Sequence, residues 1–202
     1  MDPLASRFVV FRNNSTGTND EGLSYDLQYG FSNQKAENVI DLSSNWKVDF
    51  DAKMGAPETY QFEELTSWTD VENKGINYYS GSANYNREFS VSNEALSPKV
   101  EAYVVFEDIQ EIARVTVNGN DCGIIWTPPY KTNITQYLKE GTNKISVQVI
   151  NNWNNRIVGD LKNPAEKEYA KTNAKYQLSA DGPLLESGLI GNAEIVFMNK
   201  EE

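Results

Sequence analysis

Hydrophobic and polar residues alternate along most of this chain, and the alternation is densest between Lys99 and Asn152. Val115 and Val117 alternate with Arg114 and Thr116, the period-two pattern of a half-buried strand. Asn118-Gly119 follows, a dipeptide that tolerates positive φ at both central positions of a type I′ hairpin turn. Cys122, Ile124 and Trp126 are expected on the returning strand, which Pro128-Pro129 ends because proline cannot donate to a ladder. Ile145, Val147 and Val149 alternate with Lys144, Ser146 and Gln148 in a third strand. Upstream, Trp46, Val48 and Phe50 share one face. So do Ala83, Tyr85, Phe89 and Val91, opposite Ser82, Asn84, Asn86, Glu88 and Ser90. Arg87 interrupts that apolar face, so it is expected at an edge or beside a carboxylate.

Ala102-Tyr103-Val104-Val105-Phe106 is apolar without a break, the pattern of a central strand covered on both sides. Gly188–Met198 supplies a closing strand. Ile134–Leu138 reads as a single helical turn, with Asn133 or Thr135 placed to cap it and Gly141 to stop it. Between Asn151 and Ser187 lies a long polar region broken by Pro164 and Pro183, expected to be functional or to pack as its own unit. The chain opens with a short strand, Ala5–Asn13, set apart by the polar, turn-rich stretch Asn13–Gly22. Short strands at close spacing with almost no helix predict an all-β antiparallel architecture, a jelly-roll β-sandwich. Residues 38–202 are expected to form it, and 1–37 to be an N-terminal strand and linker.

Composition narrows the chemistry. The 18 basic and 29 acidic residues give a net charge of −11, so neither a nucleic acid nor an anionic membrane is an expected partner. No apolar run is long enough for a membrane helix. There is no histidine, which removes the commonest general base and metal ligand. The one cysteine, Cys122, cannot form an internal disulfide, and its place on an alternating strand predicts a buried thiol. Met1-Asp2-Pro3 lacks the basic start and apolar middle of a signal peptide.

Glycoside hydrolysis needs two carboxyl groups facing each other across the sugar. The most visible pair, Glu107 and Asp108, adjoins in sequence, and strand neighbours point to opposite faces, so no catalytic residue is assigned. Sugar recognition fits better. A pyranose ring packs its C–H face on an aromatic side chain while amides, carboxylates and arginine satisfy its hydroxyls. The loop aromatics Trp68, Tyr78, Tyr79, Trp126, Tyr130 and Trp153 are therefore the candidates. Trp46, in contrast, belongs to a core strand face. Trp126 and Tyr130 flank Pro128-Pro129, and packing that turn on the sheet is their competing role. Trp153, among Asn151, Asn152, Asn154, Asn155 and Arg156, joins an aromatic platform to amide donors; the competing reading there is a structural ion pair between Arg156 and Asp160.

Four stretches carry a resemblance: Tyr79–Phe89 (Y-S-G-S-A-N-Y-N-R-E-F), Val117–Tyr130 (V-N-G-N-D-C-G-I-I-W-T-P-P-Y), Gly141–Val149 and Ser187–Phe197. In this order they resemble the sugar-binding domain of glycoside hydrolase family 2. With Asn151–Asp160 (N-N-W-N-N-R-I-V-G-D) they are closer still to the related module of α-L-rhamnosidase-like family 106 enzymes. The resemblance covers roughly Val39 to Met198 and implies a galactose-binding-domain-like jelly roll. It further implies a non-catalytic, accessory carbohydrate-binding-type module of a polysaccharide-degrading enzyme, partnered by a neutral glycan or by a catalytic domain. The alternative is a purely structural domain that packs on a catalytic domain and binds no sugar. By the same resemblance, Ala5–Phe11 looks like the tail of a preceding catalytic region, the parent is a periplasmic or extracellular bacterial enzyme, and no cofactor is required, although a structural calcium is common in this fold family, and no ligands are assigned to one. The catalytic barrel is missing from the chain, as is the acidic-aromatic loop by which some family 2 modules reach their partner's active site.

Overall fold

The computed structural model describes residues 25–26 and 31–32 as backbone, and residues 36, 38–164, 166–173 and 178–200 in full. The expected strand Ala5–Asn13 and the stretch Asn13–Gly22 lie outside the described residues. The strands are, in order, β1 (Tyr25–Asp26), β2 (Phe31–Ser32), β3 (Asn38–Asp41), β4 (Ser44–Phe50), β5 (Thr59–Glu64) and β6 (Ser82–Val91). They continue with β7 (Val100–Gln110), β8 (Ile112–Val117), β9 (Asn120–Ile125), β10 (Lys131–Asn133), β11 (Gly141–Ile150) and β12 (Gly188–Asn199). Two short helices interrupt them, α1 (Lys74–Asn77) and α2 (Asn154–Lys162).

β1 and β2 pair with each other. The remaining strands form two antiparallel sheets, one of four strands in the order β10-β7-β12-β3 and one of six in the order β5-β4-β6-β11-β8-β9. Non-consecutive neighbours in both sheets, with the apolar faces packed on each other, make this an all-β sandwich of the expected galactose-binding-like kind.

The alternating patterns place the core as read. Trp46, Val48, Ala83, Tyr85, Val115, Val117, Val147 and Val149 are fully buried between the sheets. On β7, Val104 and Phe106 enter this core while Val105 packs with Val196 and Met198 on the opposite face, so the unbroken apolar run does serve both sides. Asn118 (φ 50°) and Gly119 (φ 82°) form the hairpin turn between β8 and β9. Arg87 sits on a central strand; its guanidinium is satisfied by the carbonyl oxygens of Ser44 and, at 3.3 Å, of Asp41 rather than by a carboxylate bond.

Four details differ from the sequence reading. The pairing of β8 with β9 slips between Val115↔Gly123 and Thr116↔Asp121, leaving Cys122 as an extra residue in a bulge. The bulge shifts the phase: Ile125 turns into the core, while Ile124 and Trp126 are exposed. Cys122 is half-buried at the edge of the core rather than enclosed, and partial burial holds its thiol above the usual range. The single turn is 3₁₀, Thr135–Tyr137, closed by Leu138, and Gly141 instead opens β11 with φ 78°.

The fourth difference is α2, which lies in the region read as polar loop. Its buried residues are Asn155, Arg156, Val158 and Gly159, so an apolar stripe of helical period never forms.

Candidate functional site

The described ends of β7, β9 and β11 converge at one end of the sandwich. Ile112 on β8 pairs with Ile150 on β11, and Glu111 donates its N–H to the Ile150 carbonyl at 3.2 Å. β9 runs beside β8 as far as Ile125↔Ala113, so Trp126 emerges next to this same corner. Asn152 then bridges outward: its amide donates to Glu111 Oε1 at 2.6 Å, and its own Oδ1 accepts the N–H of Asn154 at 2.9 Å. That second bond is an Asx-type turn, and it presents Trp153 at the entrance to α2.

Tyr130 completes the corner. Its backbone carbonyl accepts the N–H of Phe106 at 2.8 Å, which anchors the segment after Pro128-Pro129 to β7. Its hydroxyl is hydrogen-bonded to the Asp108 carboxyl group, and the Glu111 charge is also felt there. Burial first, and these two carboxylates after it, push the phenol above its ordinary range, so it stays a neutral donor. Asp108 in turn accepts from the Gln110 amide and from the Ile109 N–H, each at 2.8 Å. A phenol, two carboxylates and two amides thus gather around one rim, with Trp126 and Trp153 beside it. Trp126 and Trp153 remain 70% and 55% exposed, so their ring faces are free to stack.

The other sequence candidates are elsewhere. Trp68 and Tyr79 have no exposed surface. Trp68 packs against Phe50 and Tyr79 edge to face and stacks over Tyr85. The Tyr79 hydroxyl donates to the Ser82 carbonyl at 2.7 Å. Neither ring can meet a ligand, because each fills the core beneath the sheet. Asn155 and Arg156 are likewise buried, on the inner side of α2. Asn155 exchanges hydrogen bonds with the Leu185 N–H (2.8 Å) and carbonyl (2.7 Å) and donates to the Ser187 hydroxyl, tying the helix to the strand that follows. Arg156 Nη2 lies 2.8 Å from Asp160 Oδ1, with its guanidinium 4.5 Å from the Tyr169 ring centroid. The ion-pair reading is the one the structure supports, and both residues are corrected from ligand contacts to packing contacts.

Sequence reasoning passed over Gln110 and Glu111, named Asn152 only as one of the amides around Trp153, and considered Asp108 only as half of a catalytic pair. Their one signal is position: polar residues at the ends of β7 and β11, flanking the exposed aromatics. Glu107 points away from Asp108 and accepts the Asn192 N–H at 2.9 Å. Among the described residues, no group of three or more Cys, Asp or Glu side chains is placed to share a metal ion, and no residue is assigned to the calcium that the resemblance implies.

Residues 68–180, more than half of the chain, match the family model for the glycosyl hydrolase 2 galactose-binding domain-like domain. The chain belongs to that family. A Formosa agariphila protein named "Putative beta-glucuronidase" is 37% identical over 129 residues, which are 64% of this chain and 11% of that protein. The structure of a rhamnosidase from Novosphingobium sp. PP1Y shares 30% identity at a TM-score of 0.74, over 81% of this chain and 15% of that one. A β-D-glucuronidase structure from Dictyoglomus thermophilum overlays with a TM-score of 0.58 and 16% identity, over 82% of this chain and 29% of that one, a likeness of fold alone. This galactose-binding-like domain therefore spans about a ninth of the length of the curated relative it matches. No described helix is long and apolar enough to cross a membrane.

Proposed function

We propose that this galactose-binding-like domain is a non-catalytic, carbohydrate-binding accessory module of a polysaccharide-degrading glycoside hydrolase, and that the corner formed by Trp126, Trp153 and Tyr130 is where it meets a neutral glycan. The observation that carries the proposal is the exposure of two tryptophans beside a fixed ring of carboxylates and amides. Trp126 and Trp153 offer the stacking surface for a sugar C–H face; Asp108, Gln110, Glu111 and Asn152 offer acceptors and donors for hydroxyls. Asp108 and Glu111 act in this reading as hydrogen-bond acceptors and not as a hydrolytic pair. The parent enzyme is read as a bacterial protein of the periplasm or the extracellular space, with residues 1–37 leading from its catalytic region into the sandwich at 38–202.

A glycan array of neutral plant and host oligosaccharides, followed by calorimetric titration of each hit, tests this reading. Trp126→Ala or Trp153→Ala is expected to abolish binding while leaving the melting temperature within a degree or two, roughly the effect of a surface change. Absence of binding to every glycan would remove the proposal.

One observation favours the second reading, a domain that only packs on a catalytic neighbour. Ile112, Ile124 and Ile150 are each 42–56% exposed and adjoin Trp126, so the corner is bordered by an apolar patch. In that case the same substitutions leave all glycans unbound and instead weaken association with the catalytic domain.

A further inference from the structure

The outer face of the six-stranded sheet carries a second feature that the aromatic corner does not use. Strand register aligns its outward side chains in rows that cross the strands: Lys47–Asn86–Ser146–Thr116, and next to it Asp49–Asn84–Gln148–Arg114. The first row floors a depression of about 720 Å³, whose walls include Asn45, Glu88 and Lys144. Four strands at about 4.8 Å spacing make the row about 14 Å long, the reach of a short oligosaccharide rather than of one ring.

The polar groups of this face divide into two kinds. Three of the cations are matched by carboxylates, Lys47 with Asp49 at 3.6 Å, Lys144 with Glu88 at 3.2 Å and Arg114 with Asp121 at 3.1 Å, and Arg87, also in the lining, is held by the Ser44 and Asp41 carbonyls. Asp49 also accepts from Thr59 and Asn86. The side chains of Asn84, Thr116, Ser146 and Gln148, in contrast, are half-buried and hydrogen-bond to no other described residue. Two hydroxyls and two amides, with donors and acceptors of both kinds, therefore line the depression and its margin without a partner among the described residues. With Lys47, Lys144 and Arg114 each paired to a carboxylate, Arg87 held by two backbone carbonyls beside the Asp41 charge, and the whole chain at −11, nothing selects an anion. What fits is a neutral ligand carrying many hydroxyl groups. Two residues further along the same strands, the face ends in Ile150, Ile112 and the exposed Trp126.

We propose that this outer sheet face is a binding groove for a neutral oligosaccharide chain, which lies across β4, β6, β11 and β8 and continues toward the Trp126 corner. The inference rests on the reading that the domain binds glycan, and it adds the length of the ligand and the place of its remaining rings. Its consequence is a preference for chains over monosaccharides, because a single ring reaches either the tryptophans or the groove.

Amide-resolved NMR of the full chain, titrated with the tightest-binding neutral oligosaccharide from the array and with its constituent monosaccharide, tests the groove without any substitution. The oligosaccharide is expected to shift the amides of Asn84, Asn86, Ser146 and Gln148, and the monosaccharide is not. Ser146→Tyr, which fills the depression from an outward position, is expected to weaken oligosaccharide binding roughly tenfold, about the loss of one or two hydrogen bonds, with an unchanged melting temperature. Shifts confined to residues around Trp126, Tyr130 and Trp153, with Ser146→Tyr binding as the parent chain does, would overturn the groove while leaving the corner intact. Failure of every glycan to bind would end both. Binding of a catalytic domain that protects this face in place of sugar would likewise overturn the groove.

Discussion

The indole Nε1 of Trp68 donates to the phenolic oxygen of Tyr85 at 2.6 Å, in a space from which solvent is wholly excluded. The same oxygen accepts the N–H of Leu189 at 3.2 Å, so one hydroxyl satisfies two donors from two other elements. Tyr85 belongs to the six-stranded sheet and Leu189 to the four-stranded one, so this oxygen links the layers by polarity as well as by packing. Tyr85→Phe keeps the ring but leaves both donors without an acceptor. We expect a loss of about 1–3 kcal/mol for each orphaned group, read as a lower denaturant midpoint with an unchanged slope. Trp68→Phe, which removes one donor, should cost less on the hydrogen-bond side.

The same hydroxyl sets the alkaline limit. Burial raises the Tyr85 and Tyr79 phenols above the value of about 10 that they take in the unfolded chain. The folded state thus holds its phenol protons longer than the unfolded state does. The stability this linkage contributes is fully present below pH 10 or so and falls as pH rises above it. Tyrosinate absorbance followed against pH should show these two residues ionising together with unfolding.

Gly188 is required by what lies over it. Its φ is 101°, and a Cβ there would stand 2.5 Å from Trp68 Nε1 and 2.6 Å from the Tyr85 hydroxyl. Gly188→Ala combines an unfavourable left-handed backbone with an overfilled core, and should cost about 2–5 kcal/mol. Thermal unfolding checks it, with Gly119→Ala as the control: that position shares the positive φ but meets nothing within 4 Å.

The Arg156–Asp160 pair holds α2 and the segment after it. Both side chains are 7% exposed, and Asp160 Oδ2 also accepts the N–H groups of Tyr169 and Ala170 at 2.9 and 2.8 Å. The contact is one of charge more than of directed bonding, because Arg156 Nε and Asp160 Oδ1 have no hydrogen-bond partner. Arg156→Met leaves a buried carboxylate unpaired and should cost about 3–5 kcal/mol. The double substitution Arg156→Met with Asp160→Leu should cost less than the two single losses added together. A double-mutant cycle of unfolding free energies measures that difference.

Gly159 tests the packing of α2 in another way. Alanine there improves helix propensity, yet its Cβ would lie 2.6 Å from Tyr78 Cγ, a ring atom close to the backbone. Gly159→Ala is expected to lower the melting temperature, by an amount corresponding to about 1–3 kcal/mol of overpacking. A rise would show that α2 can move away from Tyr78.

Sequence alone determined the sandwich. Period-two alternation on β4, β6, β8 and β11 states which side chains face inward, and Asn118-Gly119 states where the chain must reverse, because both follow from local backbone geometry. Tertiary structure alone decided three things. The Cys122 bulge exchanged Ile124 for Ile125 in the core, since a strand's phase depends on its partner's register. The buried face of α2 includes Asn155 and Arg156, and the partners of Asn155, Leu185 and Ser187, become its neighbours only on folding, so no apolar stripe marked the helix. Of the aromatic residues the sequence put forward, Trp68 and Tyr79 went into the core and Trp126 and Trp153 to the surface. A tryptophan in a loop has no periodicity to tell it which, and the difference is made by the sheet that does or does not close over it.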